Sequence, residues 1–234
     1  MSKPAIKSAT QSTSALILAG GQSQRFNYND KGLIHFLNRP MIAHVFERIA
    51  PQVTSISISC NRNSVQYQSI YKDYYQKTGI QPTSTAVPIC FKDQSESPLQ
   101  GPLAGIASYL EYGDSDTIFI CSCDMPLIPF DIVQQLFDAM NESATDASYP
   151  VDENGQHHLA LLIKRSAAVD ALQQLMTTVD TETHNPERKT KTHSIKNWLN
   201  QINSHKMLIN SHATAFADIN SVTDMALIEQ KTEQ

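Results

Sequence analysis

Residues Ala15–Lys31 read ALILAGGQSQRFNYNDK. A short apolar run, Ala15-Leu16-Ile17-Leu18, breaks at Ala19-Gly20-Gly21, turns polar, and delivers Arg25 and then Lys31. Four apolar residues closed by a glycine pair predict a buried strand. A glycine-rich turn at the carboxyl end of such a strand lets backbone N–H groups approach an anion closely, because no Cβ intervenes. The two cations downstream suit phosphate oxygens. The stretch therefore reads as a nucleotide-phosphate loop or as an ordinary Gly-Gly turn with solvated basic residues, and alone it does not choose between them.

The flanking sequence favours the first reading. Pro40 suits the first turn of a helix, and Met41, Ile42, Val45, Phe46 and Ile49 share one helical face. Val53 to Ser59 alternates around Ile56 and Ile58 as a second strand, ending in the polar turn Cys60-Asn61-Arg62-Asn63. Tyr67 to Lys77 is polar and aromatic and predicts a surface helix. Val87 to Phe91 predicts a third strand, followed by Lys92-Asp93 and a loop from Gln94 to Gln100. Gly101-Pro102-Leu103-Ala104-Gly105 opens a further helix. Thr117 to Cys121 is the next strand and runs into Ser122-Cys123-Asp124-Met125-Pro126, before a helix from about Phe130 to Met140. Strands alternating with helices predict βαβ units and a mostly parallel sheet. Ligands of such sheets lie outside the carboxyl ends of the strands. Gly20, Asn61, Asp93 and Asp124 all fall at those ends.

The C-terminal part has a different pattern. Ala147 to Val151 and His158 to Ile163 flank Asn154-Gly155, a hairpin signal. Ala167 to Met176 predicts a helix, Thr177 to Thr192 a loop, Ile195 to Ile202 a short helix, Lys206 to Ile209 a strand, and Val222 to Glu229 a last helix. Residues 1–14 are rich in Ser, Thr and Lys and predict a loose tail, which leaves one domain over 15–230. The adjacent His157 and His158 face opposite ways in a strand and read as structural rather than as a metal pair.

Composition narrows the function classes. With 41% hydrophobic and 18% charged residues the 234-residue chain can fill a sizeable core. No apolar run approaches the roughly 20 residues that span a bilayer, and the N-terminal segment lacks an apolar signal core. The four cysteines, Cys60, Cys90, Cys121 and Cys123, form no C-x-x-C pair, so buried reduced thiols are expected, as in a reducing cytoplasm. The net charge of −5 argues against general nucleic-acid binding. Up to Val65, however, seven Lys or Arg face two acids, a local excess that suits a small anionic ligand.

The ordered strings LAGGQSQRF…DKGL (Leu18 to Leu33), NRPMIAHV, Asn61-Arg62-Asn63, GPLAGI (Gly101 to Ile106) and CDMPLIP (Cys123 to Pro129) resemble the molybdenum cofactor guanylyltransferases, the MobA family. The closing Phe216-Ala217-Asp218-Ile219-Asn220-Ser221-Val222-Thr223-Asp224 is similar to that family's F-x-x-I-N-T-P-E-D segment, with Ser-Val in place of Thr-Pro. Asn27 stands where many members carry glycine. The resemblance implies a Rossmann-like nucleotidyltransferase of the α/β class, a three-layer α/β/α fold with a mostly parallel central sheet. A GTP-binding half would span 15–140 and a molybdopterin-side half 141–230. It implies a cytoplasmic enzyme that joins GMP from GTP to molybdenum-bound molybdopterin and releases pyrophosphate, with transient contact to cofactor-insertion and molybdoenzyme-delivery proteins expected.

By the same resemblance Leu18, Ala19 and Gly20 line the GTP site. Lys31 contacts phosphates, Asn61 contacts the nucleotide, Asp93 accepts hydrogen bonds from guanine, Asp124 holds Mg2+, and Asn220 lies near the pterin. The chemistry fits these residue types. A terminal phosphate is already ionised near neutral pH, so charge repulsion rather than deprotonation is the obstacle. Lys31 and Arg25 can stabilise the departing pyrophosphate, and backbone N–H groups of Gly20 and Gly21 can hold the triphosphate. Magnesium needs only one or two protein carboxylates. Each residue also has an ordinary reading: Asp124 as a turn or cap, Lys31 as a solvated partner of Asp30, Asp93 as an exposed loop acid. The competing functions are a cytidylyltransferase or sugar-phosphate nucleotidyltransferase of the same fold, and a non-catalytic GTP-binding adaptor.

Overall fold

Strand β1 (Thr13–Leu18) is buried along all six residues and lies inside the sheet, parallel to a strand on either side. The computed structural model describes residues 13–20, 30–79, 89–93, 99–181, 194–210 and 214–232. Side chains of β1 alternate between two cores: Ala15 and Ile17 face one, Leu16 and Leu18 the other. A strand buried on both faces reads as a continuous apolar run, which explains the lack of polar alternation in Ala15–Leu18.

The chain continues through a two-residue hairpin, β2 (His35–Phe36) and β3 (Arg39–Pro40), and helix α1 (Met41–Ile49). Strand β4 (Ile56–Ser59), helix α2 (Ser64–Thr78), strand β5 (Cys90–Phe91), helix α3 (Pro102–Tyr112), strand β6 (Thr117–Ser122) and helix α4 (Ile132–Glu142) follow. The remainder is β7 (Ala147–Asp152), β8 (Gly155–Gln156), β9 (Ala160–Lys164), α5 (Arg165–Thr181), α6 (Ile195–Leu199), β10 (Ser204–Leu208) and α7 (Val222–Thr232).

The sheet order is β10-β7-β9-β6-β1-β4-β5, with β8 paired to β7. Strand β9 runs antiparallel to β6 and β7, whereas β7–β10, β6–β1, β1–β4 and β4–β5 are parallel pairs. The carboxyl ends of β1, β4, β5, β6, β7 and β10 therefore share one edge. Helices α1, α2 and α4 pack on one face through Phe46, Tyr71 and Leu136, and α3, α5 and α6 on the other through Leu103, Leu172 and Trp198. The result is the expected three-layer α/β/α arrangement with a mostly parallel sheet. Among the described residues no helix is long and apolar enough to cross a membrane.

The elements differ from expectation mainly as follows. Strand β1 starts at Thr13 rather than Ala15, because Thr13 and Ser14 are buried and the Ser14 hydroxyl pairs with Tyr109 Oη at 2.7 Å. Helix α2 is not a plain surface helix. Its Tyr67, Tyr71 and Tyr75, spaced one turn apart, are buried, and Tyr71 meets Phe46 edge-on. The third strand is short, Cys90–Phe91, and residues 80–88 of the expected approach to it lie outside the described residues. Helix α5 continues to Thr181, so the segment expected as a loop from Thr177 begins as helix, and 182–193 lie outside the described residues. The four cysteines are free; Cys60, Cys121 and Cys123 are buried and Cys90 is half-buried.

Candidate active site

Three separate segments converge at the shared strand edge. The first is the return of the glycine loop. Asp30 caps a short 3-10 turn, Lys31–Leu33, and is itself buried. Its carboxylate accepts hydrogen bonds from Tyr67 Oη and from Asn63 Nδ2 (3.1 Å), with Arg62 Nε at 3.7 Å. Burial pushes the Tyr67 phenol far up, so it remains a donor. A charged group anchored this way fixes where the next residue begins. Gly32 is required here: a Cβ would stand 2.6 Å from Tyr67 Oη and 3.3 Å from Cys123 Sγ.

Lys31 leaves that anchor and does not pair with Asp30. Its ammonium donates to the Asp124 carboxylate and to Asn220 Oδ1 at 2.6 Å. Asp124 stands just beyond β6, where Cys123 N donates to Leu18 O at 3.1 Å. Asn220 arrives from the C-terminal segment. That segment is tied down by Ile219 N donating to Asp124 O (3.0 Å), by Asn220 N donating to Asp224 Oδ2 (3.0 Å), and by Ile219 packed with Phe36, Met41 and Ile228. The reading of Lys31 as a solvated partner of Asp30 is thereby corrected.

A second carboxylate belongs to this cluster and was not expected. Asp218 presents surface to solvent, yet desolvation by the surrounding protein, together with the nearby Asp124 charge, raises its carboxyl to about 6. Lys31 and His157 oppose the shift. His157 stacks on Phe216 with ring centroids 4.8 Å apart, and its Nε2 lies 2.8 Å from Asp152 Oδ1. The only sequence signal for Asp218 was its position inside the closing motif. Burial and the Asp124 carboxylate also hold Cys123 as a neutral thiol.

Across Gly20 lies a second polar group. Asn61 and Asp93 exchange hydrogen bonds: Asn61 Nδ2 donates to Asp93 Oδ2 (3.0 Å), and Asp93 N donates to Asn61 Oδ1 (3.0 Å). Ser59 Oγ donates to Asp93 Oδ1 at 2.7 Å. The Asp93 carboxylate is thus held rigidly, and each oxygen keeps a lone pair for an incoming donor. Gly20 passes so close that a Cβ would meet Asn61 Nδ2 at 3.2 Å and Asp93 Oδ2 at 3.5 Å. Leu18 and Ala19 close the floor, Ala19 N donating to Ser59 O at 2.8 Å. Gly105 in α3 presses against the same spot, its Cβ position 2.7 Å from Ser59 Oγ and 2.9 Å from Leu18 Cδ2.

Leu18, Ala19, Gly20, Lys31, Asn61, Asp93, Asp124 and Asn220 are therefore gathered along one edge. Gly21 and Arg25 lie outside the described residues. The donor set fits one hard divalent cation. Asp124 Oδ1 is buried and has no hydrogen-bond partner among the described residues, and Asp218 adds a carboxylate nearby. Among the described residues no cluster of three or more His, Cys, Asp or Glu would enclose a metal with protein ligands alone. One or two carboxylates with open positions suit magnesium, which retains waters and substrate phosphates.

The chain is similar to known proteins. A molybdenum cofactor guanylyltransferase of Shewanella pealeana is 36% identical over 152 residues, 65% of this chain and 68% of the relative. One from Yersinia pestis is 29% identical over 216 residues, 92% of this chain and 94% of the relative. The crystal structure of molybdopterin-guanine dinucleotide biosynthesis protein A from Archaeoglobus fulgidus superposes with a TM-score of 0.65 at 18% identity, covering 94% of this chain and 98% of that one. Residues 15–190 match the MobA-like NTP transferase domain, and the chain belongs to that family.

Proposed function

We propose that the chain transfers GMP from GTP to molybdenum-bound molybdopterin. A phosphate oxygen of the pterin attacks the α-phosphorus of GTP, the bond to the bridging oxygen of the β-phosphate breaks, and pyrophosphate leaves. The guanylyltransferase names of the relatives support the reaction, and the convergence of Lys31, Asp124 and Asn220 at the carboxyl end of β6, tied to the end of β1 through Cys123 N and Leu18 O, is the observation that carries it.

The residues divide the task. Leu18, Ala19 and Gly20 give the nucleotide a close backbone approach, and the N–H of Gly21, the next residue in sequence, joins them on the triphosphate. Asp93, fixed by Ser59 and Asn61, accepts the two N–H donors on the guanine edge. Cytosine presents an acceptor nitrogen beside its amino group, which a carboxylate repels, so the same group discriminates against CTP. Lys31, and Arg25 six positions earlier in the sequence, balance charge on the departing pyrophosphate. Asn220 holds Lys31 in place and marks the side from which the pterin enters. Asp124, with Asp218 close by, would hold Mg2+. When bound, that ion would screen the repulsion between the two phosphate chains and stabilise charge developing on phosphate oxygens. No general base is needed, so the chain contributes position and charge.

The half spanning 15–140 is the GTP side and 141–230 the pterin side. The enzyme works in the cytoplasm and makes transient contact with cofactor-insertion and delivery proteins. Incubating the protein with Mg2+, molybdopterin and either GTP or CTP, with pyrophosphate as readout, tests the assignment. Release with GTP alone is expected. Equal release with CTP, or GTP binding without release, would overturn it.

A further inference from the structure

A pocket of about 460 Å³ opens on the α6 side of the sheet, among Tyr149 of β7, Gln156 of β8, His158, Lys196 of α6 and Lys206 of β10. It shares no residue with the Lys31–Asp124 cluster. The size is that of small-ligand sites. Leu199 and Ile202 supply an apolar lining, and the rings of Tyr149 and His158 lie 5.0 Å apart.

Its charge is one-sided. Two lysines line it, beside the ring of His158, and no carboxylate does. Among the described residues Lys196 and Lys206 have no ion-pair partner, whereas Lys164 on the neighbouring strand β9 takes Asp146 at 2.8 Å. Asp152, on the same hairpin as Gln156, is occupied by His157 and by the N–H groups of Asn154 and Gly155. Burial first, and then the charges of Lys196 and Lys206, hold His158 below the usual imidazole range. Like charges gathered around a concave surface focus a positive potential that an anion relieves.

The hydrogen-bonding groups are preset for the same ligand. Gln156 Oε1 lies 3.3 Å from Tyr149 Oη, which donates to it, and 3.2 Å from His158 Nε2. With its carbonyl engaged, the Gln156 amide offers N–H donors. We propose that this pocket is a second anion site, built to bind a phosphate group through Lys196, Lys206 and the Gln156 amide. The source is either the pyrophosphate released by the reaction or a phosphate monoester whose organic part rests on the Tyr149–His158 wall.

The test follows the ring signals of His158 by NMR at pH 7, assigned by comparison with His158→Gln. Inorganic phosphate, pyrophosphate and phenyl phosphate are titrated at constant ionic strength into the full chain carrying Lys31→Ala, which weakens the other anion site. A saturable shift of His158 is expected, and Lys196→Ala/Lys206→Ala on that background should weaken it at least tenfold while leaving the melting curve in place. Tighter binding of pyrophosphate assigns the site to product, and tighter binding of phenyl phosphate assigns it to a monoester. Absence of a saturable shift, or equal affinity in the lysine variant, overturns the proposal. Pyrophosphate release from GTP in the otherwise native enzyme is read separately, so neither result substitutes for the other.

Discussion

The Lys31 ammonium rests on the Asp124 carboxylate, joining the 3-10 turn at Lys31–Leu33 to the segment after β6 across 93 positions of sequence. One oxygen of Asp124 faces the lysine while the other is buried without a partner among the described residues. Asp124→Asn keeps the shape and can still accept from Lys31, but it removes the negative charge. Turnover should fall by roughly 10²–10³-fold, in line with loss of a preorganised electrostatic group. The circular dichroism spectrum should be unchanged. Turnover equal to the native enzyme would exclude Asp124 from the reaction.

Asp218 makes the site sensitive to pH. Its carboxyl is raised from 3.8 to about 6, so between those values the folded protein holds a proton that the unfolded chain has released. Stability contributed by this group is therefore present at low pH and is lost as pH rises through about 6. Asp218→Asn cannot titrate, so its melting temperature should decline less over that interval than that of the native protein. Parallel melting curves across the interval would show that Asp218 carries no such shift.

Legibility in the sequence followed from how each side chain advertises its environment. β1, β6 and α1 are apolar on the faces they bury, and Gly20, Asn61, Asp93 and Asp124 stand where runs of apolar residues stop. Strand alternation placed those stops on one edge. The tyrosines of α2 were obscured because each carries a hydroxyl among polar neighbours; only the four-residue spacing of Tyr67, Tyr71 and Tyr75 betrays the buried stripe. Asp218 carried no signal beyond its place in the closing motif, since its environment is assembled by Asp124 and Lys31 from distant segments. The ties holding Asp93 between Ser59 and Asn61 depend on strand register, which local pattern does not encode.

Tyr67 supports the segment that carries Lys31. Its hydroxyl donates to buried Asp30, the residue preceding Lys31. Tyr67→Phe leaves that carboxylate with Asn63 at 3.1 Å and Arg62 at 3.7 Å. Loss of a buried hydrogen bond to a charged group should cost about 1.5–3 kcal/mol in urea unfolding. Because Lys31 is displaced with its anchor, kcat/KM should also drop by roughly tenfold. A variant with native stability would show that Asp30 is held by its other partners alone.

Gly105 links helix packing to the orientation of Asp93. Its Cβ position falls 2.7 Å from Ser59 Oγ and 2.9 Å from Leu18 Cδ2, inside contact distance for both. In Gly105→Ala the hydroxyl of Ser59 must move, and with it the 2.7 Å bond that orients Asp93. Overpacking of this kind costs about 1–3 kcal/mol. The functional effect should exceed the structural one: KM for GTP should rise by at least roughly tenfold, and the preference for GTP over CTP should narrow. Asp93→Asn separates the two effects, because it leaves the packing intact while replacing one acceptor oxygen with a donor. It should reduce GTP selectivity without the loss of melting temperature seen in Gly105→Ala. If selectivity survives in Asp93→Asn, the guanine edge is read by a different group.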